Sequence, residues 1–112
     1  LMTPWPSWYQ PPGMFSPVLA HIINAMAAHF GIDKASLCGP SRKRAYAWPR
    51  QLAMYIARES TIKSLTLIAN AVGVTDHSTV IHGARAAAHR VKINNEWAEH
   101  DRAIRKLAGV LR

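Results

Sequence analysis

The sequence predicts an all-α fold, a small helical bundle that contains a helix-turn-helix. After residue 17, apolar residues recur at three- and four-residue spacing, and no segment shows the strict alternation of a half-buried strand. Asp, Ser, Gly and Pro, which begin or end helices, separate the periodic segments. A chain of 112 residues can bury one hydrophobic core. We therefore expect one domain over residues 18–112, preceded by an arm over residues 1–17.

The arm is rich in proline and aromatic residues. Its members are Pro4, Trp5, Pro6, Trp8, Tyr9, Pro11, Pro12, Phe15 and Pro17. Proline fixes φ and removes a backbone donor, so this density of prolines excludes a regular helix and indicates an extended segment. Because exposed Trp is costly in water, we expect the aromatic side chains to pack on the domain's own surface. A peptide that binds a partner protein is the alternative.

Two helices are predicted directly after the arm. The apolar stripe of the first consists of Val18, Ile22, Met26 and Phe30. Gly31 is placed to end this helix. Asp33 can cap a short second helix over residues 34–37, because its carboxylate can accept from a free backbone N–H of the first turn.

The third helix is expected to begin near Pro49, because proline suits a first helical turn. A basic loop over residues 41–44 precedes it, and the helix extends to about Ser60. The inward positions are Leu52, Tyr55 and Ile56, and the outward positions are Arg50, Gln51, Arg58 and Glu59. The outer face of this helix is therefore predicted to be mostly basic.

The next two helices form the predicted helix-turn-helix. Ser64 can cap a fourth helix whose core stripe is Leu65, Ile68, Ala69 and Val72. Gly73 is expected to end it with a positive φ, which allows the two helices to cross closely. Asp76 can cap a fifth helix over residues 77 to about 91, with Val80, Ile81 and Ala84 facing inward.

A sixth helix completes the predicted bundle. Asn94 and Asn95 separate it from the fifth helix, and it covers residues 96–111. Its inward side consists of Trp97, Ile104, Leu107, Ala108 and Leu111. We expect this apolar side to pack on the chain's own core, because a chain of this length needs the area inside. Docking to a partner or dimerisation through Trp97 and Leu107 is the alternative.

The charge of the chain favours a polyanionic partner. Fourteen Lys and Arg against six Asp and Glu give a formal net charge of +8 and a pI near 10.4. Nucleic acid is the leading partner class, although anionic membranes and acidic proteins also attract positive charge. The lone Cys38 excludes an intrachain disulfide and a multi-thiolate metal site, as is typical of a reducing compartment. The longest apolar stretch is broken by polar residues, so we expect a cytoplasmic protein without membrane association.

The start of the fifth helix is short-chained and polar. Asp76, His77, Ser78 and Thr79 all form hydrogen bonds readily. The recognition helix of a helix-turn-helix reads base edges with its N-terminal residues, and its N-terminus also favours a nearby phosphate. These residues therefore favour DNA recognition, with ordinary helix capping by Asp76 and Ser78 as the alternative.

Two blocks of residues carry a family resemblance. Pro49-Arg50-Gln51, followed by the Asp-His-Ser-Thr-Val-Ile-His string of residues 76–82, resembles the C-terminal DNA-binding domain of the bacterial replication initiator DnaA. The resemblance covers residues 37–86, and the preceding helix extends it upstream toward Pro17. It implies an all-helical domain that binds a short box in duplex DNA.

The resemblance also implies roles for individual residues. It assigns Asp76, His77 and Ser78 to base reading in the major groove, and Thr79 to base or backbone contact. Arg42, in the basic loop, is assigned to the adjacent minor groove. The residues implied to contact phosphates or to give local support are Arg44, Arg50, Gln51, Arg58 and His82. These assignments agree with the hydrogen-bonding capacity of the side chains.

Several positions depart from the family pattern. Thr75 stands where a basic residue is usual, Trp48 where Arg often precedes Pro-Arg-Gln, and Gly83 where Ala or Ser is usual. A phosphate-binding G-x-x-x-x-G-K-[ST] loop does not occur, so the ATPase half of the initiator is absent and no nucleotide is expected. We expect either an excised fragment or a free-standing relative, and the Trp/Pro arm favours the latter.

Sequence-specific binding of double-stranded DNA at a DnaA-box-like site is therefore the predicted function, in a bacterial, nucleoid-associated protein that regulates replication initiation or transcription. No enzymatic activity, cofactor or metal is expected. A metal or catalytic site built from the six histidines is disfavoured, because His82 and His89 are seven residues apart without a zinc-binding spacing. A protein-interaction module and a non-specific DNA-coating domain are the remaining alternatives.

Overall fold

The computed structural model describes residues 17–60 and 64–110, and every regular element within these ranges is helical. The helices are α1 (Pro17–Phe30), α2 (Lys34–Leu37), α3 (Arg44–Glu59), α4 (Leu65–Val72), α5 (His77–Ile93) and α6 (Asn95–Ala108). The all-α prediction is confirmed. The extended arm predicted for residues 1–17 lies outside the described residues, except for Pro17, which begins α1. Leu111, which was predicted to face the core, also lies outside the described residues.

The helix boundaries follow the predicted caps closely. Asp33 accepts a hydrogen bond from the Ser36 amide, and Ser64 accepts one from the Leu67 amide. Asn94 both ends α5 and caps α6, because its side-chain oxygen accepts from the first amides of α6. Each contact satisfies a backbone N–H that has no partner within its helix. The local signals in the sequence therefore placed the starts of α2 and α4, whereas Asn94 was predicted only to separate α5 from α6, which begins at Asn95 rather than at residue 96.

The start of α3 was predicted wrongly. The helix begins at Arg44, five residues before Pro49, and it includes the end of the segment that was expected to be a basic loop. Pro49 lies inside the helix, where it cannot donate to the carbonyl of Ala45. The turns before it are held by packing, since Trp48 is half-buried and its ring centroid lies 5.7 Å from that of Trp97. Tertiary packing thus outweighs the missing hydrogen bond.

Helix α3 is the centre of the bundle. It packs most extensively against α5, and the two helices are antiparallel, since Gly83 meets Met54 whereas Arg90 meets Trp48. The fully buried side chains of the core include Ile22, Met26, Leu52, Ile56, Ile68, Val80 and Ile104. The predicted inward stripes of α1, α3, α4 and α5 are therefore confirmed in their main positions. The start of α5 lies beside the C-terminal end of α3.

Leu107 is the exception among the predicted core residues. It is 63% exposed, whereas the buried residues of α6 are Trp97, Asp101, Ile104 and Arg105. At 100° per residue, Leu107 lies beyond the edge of the face that these residues define. The prediction that Leu107 faces the core is wrong, because the buried face of α6 includes a charged pair that the apolar pattern does not show.

The turn between α4 and α5 is held against the end of α2. Gly73 has a φ of 77°, which favours glycine, and a Cβ at this position would collide with the backbone carbonyl oxygen of Cys38. The Cys38 thiol donates to the carbonyl oxygen of Ala71 at 3.3 Å. Burial raises the pKa of this thiol, so it stays protonated and able to donate. Gly73 is thus required by both its conformation and its surroundings.

We expect Gly73→Ala to destabilise the fold far more than Gly109→Ala. Both glycines end a helix with a positive φ, but among the described residues outside its own helix and its chain neighbours, no atom would lie within 4 Å of a Cβ at Gly109. The conformational cost of alanine alone is roughly 1 to 2 kcal/mol, and the collision with Cys38 adds to it at Gly73. Urea unfolding measures both. Equal losses would contradict the close approach at Cys38.

An aromatic cluster joins the end of α1 to α6. His29 Nε2 lies 2.7 Å from His100 Nδ1, and Phe30 stacks on Trp97 with ring centroids 5.6 Å apart. Such a bond between imidazoles requires at least one of the two nitrogens to be unprotonated. Burial, followed by the nearby His100, lowers the pKa of His29 from its ordinary value of 6.5. Glu96 Oε1, the carboxylate facing this cluster from α6, lies 3.6 Å from His100 Nε2.

The stability of the domain is expected to fall as the pH decreases below 6.5. The unfolded chain takes up a proton at His29 more readily than the folded chain, so the contribution of neutral His29 is complete above 6.5 and is lost as the pH falls toward the lowered pKa. His29→Gln is expected to flatten this dependence of Tm on pH. His21→Gln, an exposed position on the same helix, is the control. Identical profiles for wild type and His29→Gln would contradict the expectation.

Candidate nucleic-acid interface

The first turn of α5 projects a contiguous set of polar side chains. Asp76, His77, Ser78 and Thr79 are all exposed, whereas Val80 next to them is fully buried. The buried part of α5 thus anchors the helix, and its N-terminal end is left free. Backbone N–H groups of this first turn add a partial positive charge. The first turn of α5 therefore exposes four of the five residues that were predicted to read bases, and the fifth, Arg42, lies in the loop before α3.

Asp76 has a structural role as the cap of α5. Its Oδ1 accepts from the Ser78 amide at 3.0 Å, and its own carbonyl accepts from the Thr79 amide at 3.1 Å. The second carboxylate oxygen, Oδ2, has no hydrogen bond to any other described residue. Capping and contact with a ligand are therefore compatible at this residue, because they use different oxygens.

His77 contacts the preceding helix. Its Nε2 lies 3.2 Å from Oγ1 of Thr66, in the first turn of α4. The sequence analysis did not single out Thr66. The turn at Gly73 brings the starts of α4 and α5 toward each other, and no pattern within either helix marks Thr66.

Arg58 and His82 lie at the same end of the bundle. Arg58 occupies the last turn of α3 and is exposed, and the antiparallel packing places this turn beside the start of α5. His82 is exposed on α5, one turn after Ser78. Both side chains therefore flank the exposed first turn of α5 and are available to an anionic ligand.

Arg50 does not face outward, and this part of the prediction is wrong. Its side chain is 8% exposed, and it donates from Nε to the carbonyl of Leu37 at 2.7 Å and from Nη1 to the carbonyl of Ser41 at 3.0 Å. A weaker bond runs from Nη2 to the carbonyl of Ser36 at 3.5 Å. Burial lowers the pKa of Arg50, but a guanidinium remains charged at neutral pH. Arg50 therefore satisfies carbonyls at the end of α2 and holds the loop that leads to Arg42.

A second cationic cluster lies around Trp48. The guanidinium carbon of Arg44 is 4.6 Å from the centroid of the Trp48 ring, and that of Arg90 is 3.9 Å from it. Arg90 Nη2 also donates to Gln51 Oε1 at 2.9 Å, so Gln51 gives local support, and its NH2 group can still donate to a further partner. Arg44 is exposed, so its N–H groups stay accessible to an anion while its guanidinium lies over the Trp48 ring. Sequence reasoning missed Arg90, since only the folded chain places it beside Trp48.

Arg42 lies in the loop before α3 and is exposed. No hydrogen bond joins its side chain to another residue of the described ranges. Because Arg90 is 13 positions after His77 on α5, the Trp48 cluster lies about 20 Å along this helix from the exposed first turn. The candidate interface thus has two cationic regions, one at each end of α3.

Other kinds of site receive no support from the described residues. Within residues 17–60 and 64–110, no three His, Cys, Asp or Glu side chains are grouped closely enough to hold a metal ion. None of the described helices combines the length and the apolar character that a membrane span requires.

Arg50→Ala and Arg58→Ala are expected to separate stability from surface charge. Arg50→Ala leaves buried carbonyls of Leu37 and Ser41 without a donor, at a cost of about 2 to 4 kcal/mol in the free energy of unfolding. Arg58→Ala, on the same helix but exposed, is expected to change it by less than about 0.5 kcal/mol. Chemical denaturation compares the two. A loss at Arg50 no larger than that at Arg58 would show that the buried contacts do not support the fold.

Comparison with known proteins places the fold in a family. The sequence model for the helix-turn-helix of the bacterial DnaA protein matches residues 19–86. The chromosomal replication initiator protein DnaA of Thermus thermophilus is 42% identical over 91 residues, which is 81% of this chain and 19% of that protein. The DnaA protein of Cereibacter sphaeroides is 34% identical over 89 residues, which is 80% of this chain and 20% of that protein. The chain thus spans about a fifth of the length of these relatives.

A solved structure agrees with these matches. A crystal structure of a DNA replication initiation factor has a TM-score of 0.69 and 26% identity, and the match covers 81% of this chain and 28% of that one. The resemblance carried by residues 37–86 is therefore confirmed, and the match extends upstream into α1. The helix-turn-helix fold agrees with the prediction that the chain is not an enzyme. The chain belongs to the family of bacterial DnaA helix-turn-helix domains.

Proposed function

We propose that this chain binds double-stranded DNA sequence-specifically, at a DnaA-box-like site, with the first turn of α5 in the major groove. The observation that carries the proposal is the run of four exposed hydrogen-bonding side chains, Asp76 to Thr79, at the start of a helix that is otherwise anchored in the core. A helix-turn-helix presents the N-terminal residues of its second helix to base edges in this way. Family membership supports the same docking.

The side chains of the first turn can distinguish base pairs. The free carboxylate oxygen of Asp76 can accept from a cytosine amino group, which faces the major groove. His77 can contact a thymine methyl group or form a hydrogen bond. Ser78 and Thr79 both donate and accept, so they can bind either kind of edge. Together these groups supply the direct readout.

The basic residues position the domain on the duplex. Arg58, Arg44 and His82 are exposed and can bind phosphates, which fixes register without reading sequence. Gln51 can add its NH2 group, and Arg50 acts indirectly by holding the loop. Arg42 enters the neighbouring minor groove, where a narrow A·T-rich segment has the most negative potential.

The biological context of this binding is control of replication initiation. The relatives are named chromosomal replication initiator proteins, and the chain covers only the part of them that contains the helix-turn-helix. A domain that occupies such boxes acts on initiation where they lie at an origin, and it alters transcription where they lie at a promoter. Association with the bacterial nucleoid follows from either activity.

Fluorescence anisotropy with a DnaA-box duplex and a scrambled duplex tests the proposal. We expect a preference for the box of more than about tenfold, with a steep salt dependence from released counterions. His77→Ala and Asp76→Asn are expected to reduce the preference by about 1 to 3 kcal/mol, because each removes a base contact. Asn also caps helices, so Asp76→Asn changes the charge while preserving the start of α5.

Arg58→Ala is the matched control for a phosphate contact. It is expected to weaken binding to both duplexes to a similar extent and to leave the preference for the box unchanged. Arg42→Ala is expected to weaken binding most for boxes that are flanked by A·T base pairs. Equal binding of box and scrambled duplex by the wild type would replace specific readout with non-specific DNA coating. Absence of binding to either duplex would favour a protein-interaction module.

A further inference from the structure

A hydrogen bond joins the two helices of the helix-turn-helix at their exposed ends. Thr66 Oγ1, on α4, lies 3.2 Å from His77 Nε2, on α5. Capping of α4 does not need Thr66, since Ser64 already accepts from the Leu67 amide. Thr66 is exposed and adds nothing to the buried core. Its hydroxyl is therefore available for His77, and the contact has no evident role in holding the fold.

Solvent competition makes this bond weak in the free protein, because water can replace either partner. The situation differs when the first turn of α5 lies in a DNA groove. There the partners lose contact with bulk water, and a hydrogen bond becomes electrostatically stronger. The effect of Thr66 is thus expected in the complex with DNA more than in the stability of the free domain.

We propose that Thr66 is a positioning residue that determines how His77 reads its base pair. The inference rests on the proposed function, in which His77 lies in the major groove. With Nε2 directed toward Thr66, the imidazole has a defined orientation, and Nδ1 has no hydrogen bond to another described residue. Nδ1 and the adjacent ring edge are then the groups that His77 presents to DNA.

The direction of the hydrogen bond to Thr66 also determines which ring nitrogen of neutral His77 carries the proton. When the Thr66 hydroxyl donates to Nε2, the neutral ring carries its proton on Nδ1, which can donate to N7 or O6 of guanine or to O4 of thymine. When the hydroxyl accepts from Nε2–H, Nδ1 is an acceptor for the amino group of adenine or cytosine. Thr66 is suited to either state, because a hydroxyl both donates and accepts. A side chain without a hydroxyl leaves the ring free to rotate.

Thr66→Val provides the test, since valine keeps the shape and β-branching of threonine and removes the hydroxyl. The base pair read by His77 is identified first. It is the pair whose substitution weakens binding by the wild type but does not change the affinity of His77→Ala. At this pair, Thr66→Val is expected to reduce the discrimination between the correct and substituted duplex by about three- to tenfold, the range for loss of one hydrogen bond. Its Tm is expected to match that of the wild type. Thr66→Ser, which restores a hydroxyl, is expected to recover most of the discrimination.

The double variant Thr66→Val/His77→Ala tests whether Thr66 acts through His77. It is expected to bind like His77→Ala alone, because the residue that Thr66 positions is absent. If adding Thr66→Val to His77→Ala reduces the discrimination as much as Thr66→Val does in the wild type, the inference is overturned, and Thr66 contacts DNA directly. A spectroscopic measurement on the DNA complex complements this, since the imidazole 15N shifts of bound His77 are expected to change in Thr66→Val and to return in Thr66→Ser, and unchanged shifts in Thr66→Val would contradict the bond.

The outcomes separate this inference from the function on which it rests. If His77→Ala loses the preference for the box while Thr66→Val retains full discrimination, the positioning role is wrong and sequence-specific binding stands. If His77→Ala binds all duplexes like the wild type, the docking of α5 is wrong, and the positioning role is wrong with it.

Discussion

The close approach of the α4–α5 turn to the end of α2 is the constraint on which the rest of the structure depends. Gly73 adopts a left-handed conformation against the carbonyl of Cys38, and the Val74 amide donates back to the carbonyl of Ala69 at 2.9 Å. This geometry reverses the chain within a few residues. It sets the direction in which α5 leaves the core, and with it the exposure of Asp76 and His77.

A shortage of acidic partners shapes how the basic residues are held. With 14 Lys and Arg and six Asp and Glu, more than half of the cationic side chains have no acidic side chain of their own to pair with. Arg50 binds backbone carbonyls, and Arg44 and Arg90 stack on Trp48. Arg105, which pairs with Asp101 at 2.9 Å, is the buried exception. Because carbonyls and aromatic rings carry no net negative charge, this mode of support orders the side chains and preserves the positive potential that attracts DNA.

Sequence reasoning succeeded where the determinants are local. The caps Asp33, Ser64 and Asp76 each contact an amide two or three residues later, so the information lies within one turn. The positive φ of Gly73 and the exposure of residues 76–79 followed from the same kind of signal. The candidate base-reading residues could therefore be placed together before the fold was known.

Sequence reasoning failed where distant residues decide the outcome. The start of α3 was misplaced because the proline signal at Pro49 is weaker than the packing of Trp48 against α5 and α6. Arg50 was placed outside because periodicity treats every arginine as polar, whereas its guanidinium satisfies carbonyls from a segment 9 to 14 residues earlier. The contact of Thr66 with His77 joins two helices and has no signature within either of them.

A titration of the 15N-labelled chain with a DnaA-box duplex, followed by two-dimensional NMR, tests the proposed DNA interface most directly. We expect the amide shifts to concentrate at residues 76–79, at Thr66 and Arg58, and in the loop around Arg42, with little change on the outer faces of α1 and α6. Shifts concentrated on α1 and α6, with the first turn of α5 unperturbed, would contradict the proposed interface.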